Sequence, residues 1–172
     1  MCSDASGSGK TVKTNKSQTS PRPQLPLKVT LTNTQRDLPL SMPRMKEVVS
    51  LLIAHLKIGT DEVIIHFITD SKMRKLHKEF FDDPSPTDCI TFPLDGTGKQ
   101  GGMAHVLGEA FICPKTAQLF ASMHKIDPFE ELCRYIAHCL LHMIGYDDQT
   151  PKDRARMKRA EGSCLRALAK LL

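Results

Sequence analysis

The chain has 172 residues, 40% of them apolar, with 24 Lys and Arg against 19 Asp and Glu, a formal charge of +5. That length suits one domain with one core, and the mild basic excess is compatible with a nucleic-acid partner without demanding one. The six cysteines, Cys2, Cys89, Cys113, Cys133, Cys139 and Cys164, form no CxxC pair and follow no N-terminal secretion signal, which predicts a reduced, cytoplasmic setting.

Residues 1–26 read as a disordered tail, because Ser, Thr, Lys, Gly and Pro dominate and apolar side chains are nearly absent. Gly9-Lys10-Thr11 looks like the end of a phosphate-binding loop. The glycine that such a loop needs five positions before Gly9 is replaced by Asp4, and no strand–helix context surrounds it. Folding begins near Leu27, where Val29 and Leu31 alternate as in a half-buried strand. Ser41 and Pro43 open a helix in which Met45, Val48, Val49, Leu52, Ile53 and Leu56 recur at helical spacing, and Gly59 is expected to end it. Its nearly apolar run from Val48 to Leu56 is too short to span a bilayer, and His55 breaks it, so no membrane segment is expected.

Glu62–Thr69 is rich in β-branched residues and reads as a strand. Asp70 or Ser71 then caps a short helix carrying Met73, Leu76 and Phe80, stopped by Pro84 and Pro86. Cys89–Phe92 and Val106–Cys113 are strands on either side of a glycine-rich loop. Pro114 starts a helix whose apolar side is expected to carry Ala117, Leu119, Phe120 and Met123. Asp127-Pro128 with Glu130 and Glu131 starts a longer helix, combining a cap, proline in the first turn and acids at the positive dipole end. Gly145 ends that helix, and Thr150-Pro151 opens a last, basic one. The sum is an α+β domain over residues 27–172, with about four strands in a mixed sheet and about five helices.

His138 and His142 stand four residues apart on the long helix and so share a face. Such a pair is often no more than two packed histidines. Here it sits at a helix end, and Gly145 allows a turn that can bring Asp147 or Asp148 back to the same point. Three protein ligands with an open fourth position is the catalytic arrangement of zinc. The residue after His138 is Cys139, not the glutamate that serves HExxH peptidases as general base, which argues against peptide hydrolysis. Cys139 is a rival ligand, and as a fourth one it would make the site structural; the plainer reading packs it against a neighbouring helix. Tyr146 reads as packing.

The run from His138 to Asp148 resembles the signature H-G-x-L-H-L-x-G-Y-D-H of the YbeY family of endoribonucleases, with His138, Leu141, His142, Gly145, Tyr146 and Asp147 identical. Pro86–Pro93 (PTDCITFP) is similar to the family's P-T-D-V-L-S-F-P strand, and Leu107–Pro114 (LGEAFICP) to its L-G-D-I-x-I-x-P strand. The resemblance covers the chain from about Leu27 to the last helix. It implies a metal-dependent, single-strand-specific endoribonuclease in ribosomal RNA processing, with single-stranded or ribosomal RNA and the small ribosomal subunit as partners. His138, His142 and Asp148 are then the zinc ligands and the catalytic centre, with metal-activated water as nucleophile. Asp147 becomes an orienting neighbour, and Thr87, Asp88 and Lys78 are expected to contact substrate; capping and turn formation stands as an equal alternative for Thr87 and Asp88.

Two departures stand out. Asp148 falls where the family has a third histidine, a substitution that keeps a zinc ligand but adds negative charge and predicts a weaker Lewis acid. Phe81 falls where the family usually has an arginine important for cleavage, leaving Lys72, Arg74 or Lys78 to hold phosphate. The competing readings are a non-catalytic ribosome-assembly or RNA-binding factor, and a metal-dependent hydrolase of another substrate.

Overall fold

A computed structural model describes residues 26–95, 104–169 and 171. The expected tail therefore lies outside the described residues apart from Pro26, as does most of the glycine-rich loop. The elements run β1 (Lys28–Asn33), α1 (Met42–His55), β2 (Glu62–Phe67), α2 (Asp70–Phe81), β3 (Cys89–Pro93), β4 (Val106–Ile112), α3 (Pro114–His124), α4 (Pro128–Met143) and α5 (Pro151–Leu168). The α+β reading, with a four-stranded mixed sheet and five helices, is borne out. No described helix is long and apolar enough to cross a membrane.

The sheet order is β1-β2-β4-β3, with β1, β2 and β4 mutually parallel and β3 antiparallel to β4. Val63, Ile65 and Phe67 of β2 face one side in strict alternation and meet the apolar stripes of α1 and α4. α2 covers part of the other side, where Met73 packs with Ile68, Ile90 and Cys113. α4 lies close on the β3–β4 end of the sheet: a Cβ on Gly108 would stand 2.7 Å from the Phe92 carbonyl and 3.1 Å from Met143. Glycine is the residue that lets strand and helix approach there.

The structure revises four local expectations. α1 ends at His55 and the left-handed residue after it is Lys57, at φ 54°, rather than Gly59. The Ile58 amide closes that turn onto the Ile53 carbonyl, so the reversal is complete before Gly59 is reached. The cap of α2 is Thr69, whose hydroxyl accepts the Lys72 amide, and β2 accordingly stops at Phe67. On α3 the buried residues are Pro114, Ala117 and Ala121, while Leu119, Phe120 and Met123 are exposed. Small side chains let α3 settle closely on α4 and turn the bulky ones outward. Finally, Cys139 packs against the strand β3, beside Cys89 and Thr91, rather than against a helix.

Candidate metal centre and its cleft

α4 sets the site. Its Asp127 cap accepts the Phe129 and Glu130 amides, and Pro128 occupies the first turn. Ten of its sixteen residues are buried, from Glu131 to Met143, which fixes the helix rotation and leaves His138 and His142 half-exposed at the rim. At the far end Gly145 takes φ +90°, a conformation that favours glycine, and the Tyr146 amide returns to the Leu141 carbonyl at 3.0 Å. That reversal carries Asp148 back over the helix end. The Asp147 carboxylate accepts the Asp148 amide at 2.8 Å, and Arg154 donates to the Gln149 and Asp148 carbonyls at 2.6 and 3.2 Å.

The three side chains meet. His138 Nε2 and His142 Nε2 are 2.9 Å apart, and Asp148 Oδ2 stands 3.8 and 4.0 Å from them. Zinc bonded at about 2.0–2.1 Å separates tetrahedral donors by about 3.3 Å, which falls inside this range. The hydrogen bonds fix the tautomers. His138 Nδ1 faces Glu161 Oε1 at 2.8 Å, and His142 Nδ1 faces the Tyr146 carbonyl at 2.9 Å. A carboxylate and a carbonyl only accept, so both Nδ1 atoms carry hydrogen. In the neutral rings both Nε2 lone pairs then point at each other and at a third acceptor, Asp148. Three converging acceptors without a donor call for a cation, and the negative C-terminal end of α4 favours one too. The residues present therefore fit a metal ion.

Burial works against charge on His138, yet Glu161 and the neighbouring thiol and carboxylate groups together hold its pKa above the ordinary value. The Cys89 thiol is pushed up by its hydrogen bond to Cys139 and by burial. Cys139 itself is fully buried on the β3 side of α4.

A cleft of about 420 Å³ opens beside the triad, walled by His77 and Phe81 of α2 and by Thr87, Asp88 and Thr91 around β3. Thr87 and Asp88 thus line the cleft beside the triad. Asp88 Oδ1 accepts the Cys89 amide at 2.9 Å and the Thr87 hydroxyl at 3.4 Å, so the turn role that sequence suggests for them is present as well. Lys78 does not line this cleft, nor does any other Lys or Arg among the described residues. Its helical neighbour His77 does, with Nδ1 donating to the Ser85 carbonyl at 3.0 Å and Nε2 left with a lone pair. Asp147 is exposed and holds the ligand loop through the Asp148 amide rather than a histidine ring. The group that orients His138 is Glu161, which sequence reasoning missed. The signal was present: Met157, Cys164 and Leu168 form the buried stripe of α5, and Glu161 falls within it at helical spacing, a carboxylate where an apolar residue belongs.

A family profile described as endoribonuclease YbeY matches residues 30–169. An endoribonuclease YbeY from Chlamydia felis is 43% identical over 145 residues, spanning 83% of this chain and 91% of the relative. One from Chlamydia caviae is 42% identical over 142 residues, spanning 81% and 89%. The solution structure of TM1509 from Thermotoga maritima matches with a TM-score of 0.58 at 20% identity, covering 83% of this chain and 91% of that one, and it supports the fold. With the histidine pair, the glycine turn and both strand blocks inside the matched span, the chain belongs to the endoribonuclease YbeY family.

Proposed function

We propose that the protein is a zinc-dependent, single-strand-specific endoribonuclease that acts in ribosomal RNA processing and ribosome maturation. Family membership supports the reaction class. The observation that carries the site is the convergence of the two Nε2 atoms and the Asp148 carboxylate on one point, with both Nδ1 atoms turned to acceptors. His138, His142 and Asp148 would hold the ion, with Glu161 and the Tyr146 carbonyl fixing the rings that present it.

When bound, zinc supplies a Lewis acid and lowers the pKa of water to about 7. The chain's own residues handle the rest. Thr87, Asp88 and Thr91 offer polar groups on the floor of the cleft to position the RNA backbone or a base edge. His77, its tautomer set by Ser85, presents an acceptor that can take or return a proton within the cleft. Asp148 brings one more negative charge than an imidazole and damps the acidifying effect of the ion. No carboxylate follows His138 into the cleft, because Cys139 is buried behind it, and peptide hydrolysis of the HExxH kind lacks its base. The small ribosomal subunit as partner and the cytoplasm as compartment complete the proposal.

A second reading, an RNA-binding assembly factor without turnover, draws on one observation: among the described residues Phe81 walls the cleft and no Lys or Arg does. One experiment separates the two. Purified wild-type protein should carry about one zinc and cut a single-stranded ribosomal RNA fragment, while the His138→Ala, His142→Ala double variant should lose both. Full-rate cutting by chelator-treated, metal-free protein would overturn the enzymatic proposal. Metal-independent binding to small-subunit particles without cutting would favour the second reading.

A further inference from the structure

The cleft walled by Phe81 is not the only approach to the triad. A second groove of about 470 Å³ lies between α3 and α5, on the other side of His138. His138 and Asp148 line both, so the metal centre is the point where the two meet. We infer that this second groove holds the RNA nucleotide next to the scissile bond, with Phe120 stacking on its base and Arg154 and Lys158 contacting its phosphate. The inference rests on the endoribonuclease reading above and assigns its substrate a path.

Charge is the first ground. α5 carries six cations, Lys152, Arg154, Arg156, Lys158, Arg159 and Arg166, against two acids, Asp153 and Glu161. Within the groove the three acids are already engaged: Glu131 pairs with Arg134 at 3.0 Å, Glu161 accepts from His138 at 2.8 Å, and Asp148 faces the two histidines of the triad. Arg134 is thereby neutralised. Lys158 has no hydrogen bond or ion pair among the described residues and is exposed. Arg154 spends one nitrogen on the Asp148 and Gln149 carbonyls and keeps the rest of its guanidinium for another acceptor. Three cations and three acids line the groove, so its net charge is positive once a divalent ion sits on the triad, and Lys158 and the free side of Arg154 are left to meet a phosphate.

The aromatic residue is the second ground. Phe120 is 37% exposed, and it stands on the bulky side of α3 that the core rejects. Its ring lies 4.1 Å from that of His124, a two-ring platform of the kind on which single-stranded bases stack. A continuous duplex keeps its bases stacked on one another, so a platform beside the metal selects an unpaired strand. Among the described residues the first cleft offers Phe81 with His77 at 5.4 Å and no Lys or Arg, so the two sides of the metal differ: bases alone on one, base and phosphate on the other.

Zinc-loaded protein should be titrated with a short fluorescein-labelled 2′-O-methyl RNA over a range of salt, with zinc content, thermal melting and RNA cutting measured on the same samples. Lys158→Ala should flatten the slope of log affinity against log salt by about 0.7, the value for one phosphate contact on a single strand. Phe120→Ala should weaken binding by about five- to a hundredfold with the slope unchanged. Arg154→Ala should lower the slope likewise, and its zinc content separates loss of phosphate contact from loosening of the ligand loop. If wild type binds and cuts RNA while Lys158→Ala and Phe120→Ala match it in affinity and slope, the groove serves another purpose and the inference falls alone. If wild type neither binds nor cuts RNA, the endoribonuclease reading falls and takes the groove with it.

Discussion

The two walls of the metal cleft are built on different principles. The ligand wall, made by α4, the turn at Gly145 and α5, is polar, and its groups are held in place by named hydrogen bonds: Glu161 on His138, the Tyr146 carbonyl on His142, Asp147 on the Asp148 amide. The facing wall, from α2 and β3, is aromatic and apolar at Phe81, Ile90 and Pro93, with Thr87, Asp88 and His77 as its polar groups. The first wall is rigid because an ion site demands fixed distances; the second is a surface against which a flexible strand can lie. The comparison teaches that a changed residue costs most where it holds geometry and least where it offers area.

Breaking the ligand wall should have the largest effect. Glu161→Ala should weaken zinc binding about 10–100-fold, as loss of a histidine's hydrogen-bonded carboxylate does, and Glu161→Gln should restore part of it because its carbonyl still accepts from Nδ1. Equilibrium titration against a zinc chelator measures both. The apolar backing of the same wall should show itself in alkaline unfolding. Burial pushes the Cys133 thiol up to about 12 and the Cys164 thiol to about 11. Both folded values exceed the unfolded thiol value of about 8.5, so the contribution is complete below that pH and lost as pH rises through 11 and 12. Melting temperature should fall by several degrees across that window, and a Cys133→Ala, Cys164→Ala variant, less stable at pH 8, should fall less.

Changes to the aromatic wall should be milder. Phe81→Arg introduces a cation where no described Lys or Arg lines the cleft, and should tighten single-stranded RNA binding about fivefold at low salt while steepening the salt slope by about 0.7. An unchanged slope would mean that RNA does not pass this wall. The smallest effect belongs to Asp147→Ala. It removes one hydrogen bond from an exposed loop that Arg154 also braces, and should lower zinc affinity by about twofold.

The same contrast explains what the sequence disclosed. α4 was readable because its signals are local: cap, first-turn proline, apolar periodicity, paired histidines and glycine stop all lie within one stretch. α3 opens on a proline as well, but its face was misjudged because hydrophobicity alone does not say which side can come close to α4. Ala117 and Ala121 won that contact by being small, and Leu119, Phe120 and Met123 were turned out. Lys57 in place of Gly59, and Thr69 in place of Asp70 or Ser71, are shifts of a residue or two where several residues could close the turn. Glu161 and His77 escaped assignment for a different reason, although Glu161 stood out as a carboxylate on an apolar stripe. Each reaches the site from another helix, Glu161 by the docking of α5 on α4 and His77 by the placement of α2 beside β3, and only tertiary structure supplies that distance.

The central claim is that two imidazole nitrogens and one carboxylate oxygen surround a single ion. Zinc K-edge X-ray absorption on the purified protein tests it most directly. The account predicts only nitrogen and oxygen scatterers at about 2.0–2.1 Å, including two imidazoles, with the spectrum altered in Asp148→Ala. A sulfur scatterer at about 2.3 Å, which would bring Cys139 to the metal, or a spectrum indifferent to Asp148, would contradict it.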